Sequence, residues 1–388
     1  MLFEFFIAKK HILEHKKQSF IGIIGIAIGI MVLTVSIGIS NGLNKNMIDS
    51  ILSLSSHVTI IGNENIKNYD TLEDTFKTYS EVKGVIPKVT TQGIVKYNGI
   101  LGTYVSGVKL DGLDLGKAIP ALNLESKIKR GDIDLSNMKG VIIGDELLNR
   151  IAGSIGDSIT IISANNKELE LEIMATFQSG YYDYDLSMIL LPLRTAQYMT
   201  ERDETVSSID LILNNPYDAE KVSNKIYSDT GLFNRTWGSL NQNLLRALSL
   251  EKTVMIIGFS LIVIIAGFVV WVILNTMVRE KIRYIGIMRS MGISHSSVIK
   301  IFLIQGIILG ATGIIIGVIV SLFLLWYIKT YSLPGISSIY YLTKVPIELS
   351  LKELLTIIGT NTTLIFLSSI FPAYRAGNLK IVEALRHD

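Results

Sequence analysis

Four long runs without Asp, Glu, Lys or Arg constrain this 388-residue chain more than any other feature. They cover residues 18–44, 253–278, 301–328 and 354–374. Each run exceeds the roughly 20 residues that an α-helix needs to cross the hydrocarbon core of a bilayer. Because backbone N–H and C=O groups find no water there, such runs must fold as helices. The sequence therefore predicts four membrane-spanning helices, here called TM1 to TM4 in chain order.

Residues 45–252, between TM1 and TM2, differ sharply in composition from the rest of the chain. They carry a net charge of −6, whereas the remaining residues carry +8. Mixed charges and short apolar stretches are typical of a water-soluble domain. The chain contains no cysteine, so this domain cannot be held by disulfides or use thiolate chemistry. Residues 329–353, between TM3 and TM4, are too few for a second domain.

The basic residues predict the orientation of the spans. Those that lie next to the spans on one side are Lys9, Lys10, Lys16, Lys17, Arg279, Lys281, Arg283, Arg289, Lys300, Arg375, Lys380 and Arg386. Positive charge favours the cytoplasmic side, so residues 1–17, 279–300 and 375–388 are predicted to be cytoplasmic. The chain would then be a multi-pass protein of the cytoplasmic (inner) membrane, with both termini inside and residues 45–252 outside.

Residues 1–17 combine a phenylalanine-rich start with lysines, which predicts an amphipathic helix at the inner interface. A basic flank that only fixes topology would fit the same residues equally well. TM1 is also much longer than the apolar core of a cleaved signal peptide, which favours a retained span.

Residues 45–252 show an alternation of short strands and short helices. Asn98-Gly99 predicts a two-residue hairpin turn, and Ala164-Asn165-Asn166 predicts a second tight turn between strands 158–163 and 167–177. Apolar residues at helical spacing up to about Ser55, and again over 239–252, predict two helical stalks that extend TM1 and TM2. The predicted fold class is a membrane protein with four transmembrane α-helices and a large α+β extracytoplasmic domain inserted between helices 1 and 2.

Sequence motifs for catalysis, nucleotide binding or metal binding are absent. No glycine-rich phosphate-binding loop occurs, and the five histidines are scattered along the chain. His57 is therefore not predicted to be catalytic, and neither catalytic nor metal-binding residues are predicted. Residues 181–185 form an aromatic and acidic segment, Tyr-Tyr-Asp-Tyr-Asp, which could suggest a cation or sugar site; a structural turn is the simpler interpretation, because two carboxylates are few ligands for a cation.

Glycines recur at intervals of three or four residues in two of the spans. Such spacing places them on one helical face and lets another helix approach closely, within the chain or in a dimer. The glycines predicted to pack in this way are Gly22, Gly25, Gly29, Gly306, Gly310, Gly313 and Gly317.

The segment 279–300 contains a short amphipathic helix. Ile282, Ile285, Met288 and Met291 fall on one helical face, and Gly292 ends the helix before a new one begins at about Ser294. Such a helix could dock into a groove on a cytoplasmic protein. An interfacial helix without a partner would show the same pattern.

At these residues the chain resembles the permease subunits of lipoprotein-releasing ABC transporters, within the superfamily of FtsX-like and MacB-like permeases. The resemblance covers almost the whole length. The segments that carry it are residues 280–281, 285–292, 306–317, 371–376 and 383–386 in and around the last three spans, and residues 40–42, 51–54, 144–147 and 156–160 in the outer region.

Three departures from the family pattern concern docking and chaperone recruitment. Tyr284 replaces an acidic residue of the coupling segment, and Ile381 replaces a proline near the C-terminus. One of the two related permeases extends a hairpin into a hook that recruits a periplasmic lipoprotein chaperone. The turn over 164–166 is too short for such a hook, so this chain is closer to the hookless permease or to an undifferentiated homodimer.

The resemblance implies a transporter whose parts are divided among several chains. A cytoplasmic ABC ATPase dimer would use ATP and Mg²⁺, while this chain would bind no cofactor or nucleic acid and would pair with a second permease chain. The substrate would be an acylated lipoprotein. The residues implied in coupling to the ATPase are Glu280, Lys281, Ile285, Gly286, Ile287, Met288, Arg289, Ser290, Met291 and Gly292, and those expected to line a substrate cavity are Met47, Ile48, Ile51 and Leu54.

Other functions fit parts of the same sequence. Within the superfamily, the chain could export a hydrophobic drug or peptide. Outside it, a four-span membrane sensor or an outer-domain hydrolase would share the layout of spans and outer domain. An associated ATPase would favour the transporter, an associated kinase the sensor, and turnover by the outer domain the hydrolase.

Overall fold

The computed structural model describes residues 2–99, 102–331 and 345–379. The described helices are α1 (Leu2–Glu14), α2 (Lys16–Leu54), α3 (Tyr69–Lys77), α4 (Leu115–Leu122), α5 (Asp145–Ile151), α6 (Tyr182–Ser187), α7 (Leu193–Thr200), α8 (Ala219–Thr230), α9 (Trp237–Leu240), α10 (Gln242–Glu280), α11 (Ile282–Ser290), α12 (His295–Thr330) and α13 (Leu351–Gly377). The strands are β1 (Val58–Ile66), β2 (Val82–Gly99), β3 (Gly102–Leu113), β4 (Ile128–Gly131), β5 (Gly140–Gly144), β6 (Ser158–Ser163), β7 (Glu168–Phe177), β8 (Met188–Pro192), β9 (Val206–Leu213) and β10 (Asn234–Thr236).

The chain divides into two compact units. Among the described residues, the outer unit comprises residues 46–246, and the membrane unit comprises residues 2–45, 247–331 and 345–379. Four helices within the described part of the chain, α2, α10, α12 and α13, are long and apolar enough to cross a membrane. The predicted fold class is confirmed: four membrane-spanning helices, with an α+β domain between the first and the second.

Each spanning helix extends beyond its uncharged run. The helix α2 continues to Leu54, where the stalk was predicted to end, and α10 begins at Gln242. The helix α12 begins at Ser294, whose hydroxyl accepts the N–H of Ser297, and α13 begins at Ser350 with a capping box to Glu353. The uncharged run marks the part of a helix that tolerates lipid, whereas a capping residue marks where the helix begins.

The predicted glycines pack helices within this chain. A Cβ atom added at Gly22 would lie 2.7 Å from Ile273 of α10. One added at Gly310 would lie 2.5 Å from Ile365 of α13. Gly313 and Gly317 face α2 instead, since a Cβ at Gly313 would lie 2.8 Å from Ile26. The glycines of α12 therefore serve two neighbours, and Gly306 joins Gly310 against α13 while Gly25 and Gly29 join Gly22 against α10.

The outer unit is built on one sheet. Its strand order is β10-β1-β9-β2-β3-β8-β5-β7-β4, and β6 pairs with β2 and β7. The pairs β3–β8 and β5–β7 are parallel and the other pairs are antiparallel. Buried residues on its two faces form two apolar clusters, one around Phe76 and Leu110 and one around Leu124 and Phe177.

The Asn98-Gly99 turn prediction is wrong by two residues. Asn98 pairs with Thr103, and Gly99 pairs with Gly102, so both predicted turn residues belong to the β2–β3 ladder. Gly102 has a φ of +110°, a conformation that glycine adopts without strain. The hairpin itself exists and is longer than predicted, because twelve residue pairs fix its register against a local turn preference.

Two further connections bear on function. The turn between β6 and β7 is as short as predicted, and Asn165 is fixed by its amide, which donates to the carbonyl of Thr200 at 3.0 Å. Residues 181–185 were interpreted as a turn, but Tyr182–Ser187 forms the helix α6, which connects β7 to β8. Its Asp185 is buried and accepts the N–H and hydroxyl of Ser179, so this carboxylate stabilises the connection.

Candidate functional site

The short helix α11 lies between the second and third spans and is closed at both ends by local hydrogen bonds. After it, Gly292 has a φ of +96° and donates to the carbonyl of Arg289, while Ile293 donates to the carbonyl of Met288. These two bonds form a Schellman motif, which requires a residue with positive φ and therefore favours glycine. Ser294 then caps α12.

One face of α11 is buried inside the membrane unit. Ile285 has no exposed surface, and Gly286 is also buried. The neighbours of Ile285 in this apolar cluster are Val278, Val298, Phe302, Ala373 and Ala376, which belong to α10, α12 and α13. The helix is thus packed against three spanning helices.

Arg289 adds a polar connection on the same side. Its Nη1 atom donates to the carbonyl of Gly377 at 3.1 Å and to that of Leu379 at 2.6 Å. These carbonyls lie at the C-terminal end of α13, where unpaired C=O groups and the helix dipole favour a cation. Arg289 therefore fastens α11 to the end of the last span and is a structural residue of this subunit.

The opposite face of α11 exposes an apolar stripe. Tyr284, Ile287 and Met291 are 58%, 40% and 71% exposed, and their spacing of three and four residues places them side by side. The predicted docking face was Ile282, Ile285, Met288 and Met291, and for Ile285 this prediction is wrong. Hydrophobic periodicity identified the face that is buried in the chain itself, because a buried face is the more continuously apolar one.

Glu280 and Lys281, also predicted to couple to a partner, contact the N-terminal helix. The Lys281 ammonium donates to Glu14 of α1 at 2.7 Å, and Glu280 lies 3.0 Å from the His15 ring. At the other end of α1, Ser297 donates to Glu4 at 3.2 Å. The helix α1 is thereby bound to the ends of α10 and α12, while Phe3, Phe6 and Leu13 remain exposed on its other side.

The four residues expected to line a substrate cavity do not converge in this subunit. Ile51 is buried, Met47 and Ile48 are half-buried, and Leu54 packs against the cluster around Phe177. Leu54 also lines a cavity of about 450 Å³ in the outer unit. Because Lys88, Thr90 and Asp111 line the same cavity, it is polar and unsuited to an acyl chain.

That polar cavity contains a charged cluster that the sequence analysis missed. Lys88 pairs with Asp210, and Asp111 accepts hydrogen bonds from Lys109 at 2.9 Å and Thr90 at 2.8 Å. Although burial alone lowers the pKa of Lys88, Asp210 and Asp111 raise it above its usual range, so the ammonium stays charged. The signal in the sequence was alternation: these charged residues occur on otherwise apolar strands, where a charge points to a buried pair.

His57 is a structural residue. Burial lowers its pKa to about 4, and its Nδ1 atom accepts the N–H of Leu213 at 2.9 Å, which requires that nitrogen to carry no proton. The ring therefore completes the pairing at the end of β9. Within the described ranges, no three His, Asp or Glu residues are grouped so that they could hold a metal ion.

Comparison with known proteins agrees with this architecture. Residues 19–228 match the family model of the MacB-like periplasmic core domain, and residues 256–381 match that of the FtsX-like permease C-terminal region. The lipoprotein-releasing system transmembrane protein LolC of Neisseria meningitidis serogroup B is 25% identical, and the match covers 99% of each chain. LolE of Haemophilus influenzae is 25% identical over 93% of this chain and 92% of that protein.

Among solved structures, the periplasmic region of MacB from Actinobacillus actinomycetemcomitans matches 51% of this chain and 97% of its own, with 15% identity and a TM-score of 0.34. The resemblance to lipoprotein-releasing permeases is confirmed by the relatives named above. The chain belongs to the family of permeases in which a MacB-like periplasmic core domain precedes an FtsX-like C-terminal region.

Proposed function

We propose that this chain is the transmembrane subunit of an ABC transporter that releases lipoproteins from the outer leaflet of the cytoplasmic membrane. A cytoplasmic ATPase dimer hydrolyses ATP with Mg²⁺, and a second permease chain completes the complex. Both termini and α11 face the cytoplasm, and the outer unit lies on the other side. Chemistry is left to the ATPase, and this chain transmits its movement.

The names of the relatives support the substrate class. LolC and LolE are described as transmembrane proteins of a lipoprotein-releasing system, and the matches cover more than nine tenths of both chains. Relatives that match over such a length share the spans, the outer domain and the segment between TM2 and TM3. The same substrate class is the simplest proposal for this chain.

The single observation that carries the coupling proposal is the exposed stripe of Tyr284, Ile287 and Met291 on α11. A rigid helix that presents an aromatic, an isoleucine and a methionine at i, i+3 and i+7 suits a groove on a partner protein. Packing of Ile285 and the two bonds of Arg289 prevent α11 from moving alone. A force applied to the stripe would therefore move α12 and α13 with it.

The coupling proposal is tested with the double variant Ile287→Asp, Met291→Asp in the complete transporter. Two carboxylates in an apolar contact should weaken association with the ATPase at least about 30-fold, the loss typical of central interface residues. Lipoprotein release from proteoliposomes should fall with it. Leu135→Asp, an exposed apolar residue of the outer unit, is the matched control. Equal release and ATPase binding in all three proteins would exclude α11 as the docking helix.

The proposed orientation is tested separately, and the chain is well suited to it because it has no cysteine. Cysteines placed singly at the exposed Ser290 and Leu135 provide one reporter in each unit. A membrane-impermeant maleimide added to right-side-out vesicles should label the cysteine at 135 and leave the one at 290 unlabelled until the vesicles are opened. The reverse pattern would refute the orientation.

A further inference from the structure

The last turn of α2 is held by a lysine from a separate segment of the outer unit. The Nζ atom of Lys127 donates to the carbonyl of Ser53, near the end of α2, and to that of Leu122, at the end of α4. Carbonyls at a helix C-terminus lack partners within the helix, and a cation there is favoured by the helix dipole. One ammonium group thus closes two helix ends at the same time.

The segment around α6 holds the same turn from another direction. The hydroxyl of Ser53 donates to the carbonyl of Ser179 at 3.3 Å, and the hydroxyls of Ser55 and Tyr184 lie 3.0 Å apart. Leu54 and Tyr184 both pack against the apolar cluster around Phe177. The end of α2 is therefore bound by polar and apolar contacts to the strand–helix connection 178–187.

Asp185 gives that connection its shape. The carboxylate is 2% exposed and accepts the N–H of Ser179 at 2.7 Å, its hydroxyl at 2.6 Å and the N–H of Gly180 at 3.3 Å. Gly180 has a φ of +83°, and a Cβ added there would lie 2.9 Å from the hydroxyl of Ser50 on α2. The backbone of 179–180 is thus pressed directly against the stalk.

These contacts are costly to build, since a lysine and an aspartate are removed from water beside a helix end. Burial lowers the pKa of Lys127 to about 8 and raises that of Asp185, which is the expected sign for both groups. Apolar packing could hold a helix end with less desolvation. Directional hydrogen bonds add what apolar packing lacks, a fixed position along and around the helix axis.

We infer that Lys127, Tyr184 and Asp185 form a joint that transmits movement of the first span to the outer unit. The helix α2 is continuous from Lys16 to Leu54, so displacement of its membrane part reaches its last turn, and the joint passes it to the sheet. This inference rests on the proposed function. It assigns a positioning role to the aromatic and acidic segment 181–185, for which the sequence suggested only a turn.

The first test compares Lys127→Met and Tyr184→Phe with Tyr182→Phe in the complete transporter. Tyr182 is the neighbour of the same residue type, and its hydroxyl contacts the exposed Arg150 instead of the stalk. Losing the charged hydrogen bonds of Lys127 should lower ATP-dependent lipoprotein release about tenfold with ATPase activity kept within about twofold. Tyr184→Phe should give a smaller loss and Tyr182→Phe none. Full release by Lys127→Met would overturn the inference.

A second test restores the joint by a different bond, which a merely structural defect would not permit. A Cβ at residue 180 would lie 3.6 Å from the Cβ of Ser50, within the range found in disulfides. Ser50→Cys and Gly180→Cys are added to Lys127→Met, and the oxidised and reduced forms of this one protein are compared. Strain at residue 180 is common to both forms. Oxidation should restore release, and failure to restore it with the bridge formed would overturn the inference.

A third readout separates failure of the joint from failure of the proposed function. Spin labels on Leu135→Cys in the two permease chains report the distance between outer units with and without ATP. If the unaltered transporter changes this distance but releases no lipoprotein, the proposed substrate is wrong while the joint can still be judged. Loss of the distance change in Lys127→Met then supports the joint, and an unchanged distance change overturns it.

Discussion

The interiors of the two units are built from different materials. In the membrane unit, glycines allow spanning helices to approach closely, as Gly22 does against Ile273 and Gly310 against Ile365. In the outer unit, a large apolar core also encloses paired charges, such as Lys88 with Asp210. Lipid offers little gain for burying apolar surface, so helices there depend on close contact, whereas water drives burial strongly enough to offset the desolvation of ion pairs.

The largest effect that would sharpen this comparison is expected from Lys88→Met. It leaves Asp210 without its cation, and the other oxygen of Asp210, Oδ1, has no hydrogen-bond partner among the described residues. Removing one partner of a buried pair costs about 3–5 kcal/mol. Hydrogen exchange of β2 and β9 in the detergent-purified protein measures the loss of local unfolding free energy.

The control for that variant is Lys225→Met, which removes a half-exposed lysine 3.8 Å from Glu81. Exposed pairs contribute about 1 kcal/mol or less. Equal loss of protection in the two variants would mean that the buried pair gives the outer unit no special stability.

A somewhat smaller effect is expected from pH through His57. Its pKa is about 4 in the folded chain and about 6.5 when unfolded, so the folded state binds fewer protons between these values. The stability contribution is complete above pH 6.5 and is lost as pH falls towards 4, by about 3 kcal/mol in total.

His57→Gln removes this titration and leaves the other groups in place. The difference in unfolding free energy between the unaltered protein and the variant should therefore decrease as pH is lowered from 8 to 4. A difference that stays constant over this range would show that His57 is not buried in its neutral form.

In the membrane unit, Gly317→Ala tests close contact directly. The added Cβ would lie 2.8 Å from the carbonyl oxygen of Ala27, which is backbone and cannot move aside alone. The cost should be about 1–3 kcal/mol, although alanine favours helix over glycine. Unfolding by SDS in mixed micelles measures the change.

Gly359→Ala is the matched control, because a Cβ there would meet no atom within 4 Å. It should be neutral or stabilising by up to about 1 kcal/mol, from helix propensity alone. Equal destabilisation by the two alanines would contradict the role assigned to the glycines of α12.

The smallest effect is expected from Ser350→Ala at the start of α13. The Ser350 hydroxyl accepts the N–H of Glu353 at 3.2 Å, and the Glu353 carboxylate accepts the N–H of Ser350 at 2.9 Å. Loss of such a cap costs about 1 kcal/mol. The control Thr356→Ala removes an exposed hydroxyl that bonds only within its own helix, and it should change the SDS midpoint by less. A larger shift for Thr356→Ala would contradict this account of the cap.

Much of the fold could be predicted because its causes are local in the sequence. Absence of charge over more than 20 residues predicted α2, α10, α12 and α13, and serines at 294 and 350 lie where two of these helices begin. Alternation predicted the strands β6, β7 and β9. The Asn98-Gly99 turn was misplaced because its register depends on strand pairs that no local signal records.

The candidate site was predicted less well, and Ile285 shows why. Periodicity shows that α11 has an apolar face, but a buried face and a docking face have the same pattern. Only the packing against Phe302 and Ala373 assigns Ile285 to the interior and leaves Tyr284, Ile287 and Met291 exposed. The C-terminal signature over 383–386, including Ile381 nearby, lies outside the described residues.

The sequence by itself determined that this chain crosses a membrane four times, that it carries an α+β domain between the first two spans, and that it belongs among the FtsX-like and MacB-like permeases. These properties depend on composition and spacing along the chain. The tertiary structure alone decided which helix each glycine meets, which face of α11 is exposed, and that Lys127 reaches Ser53. Contacts between residues far apart in sequence depend on how the elements pack, and packing is a property of the whole chain.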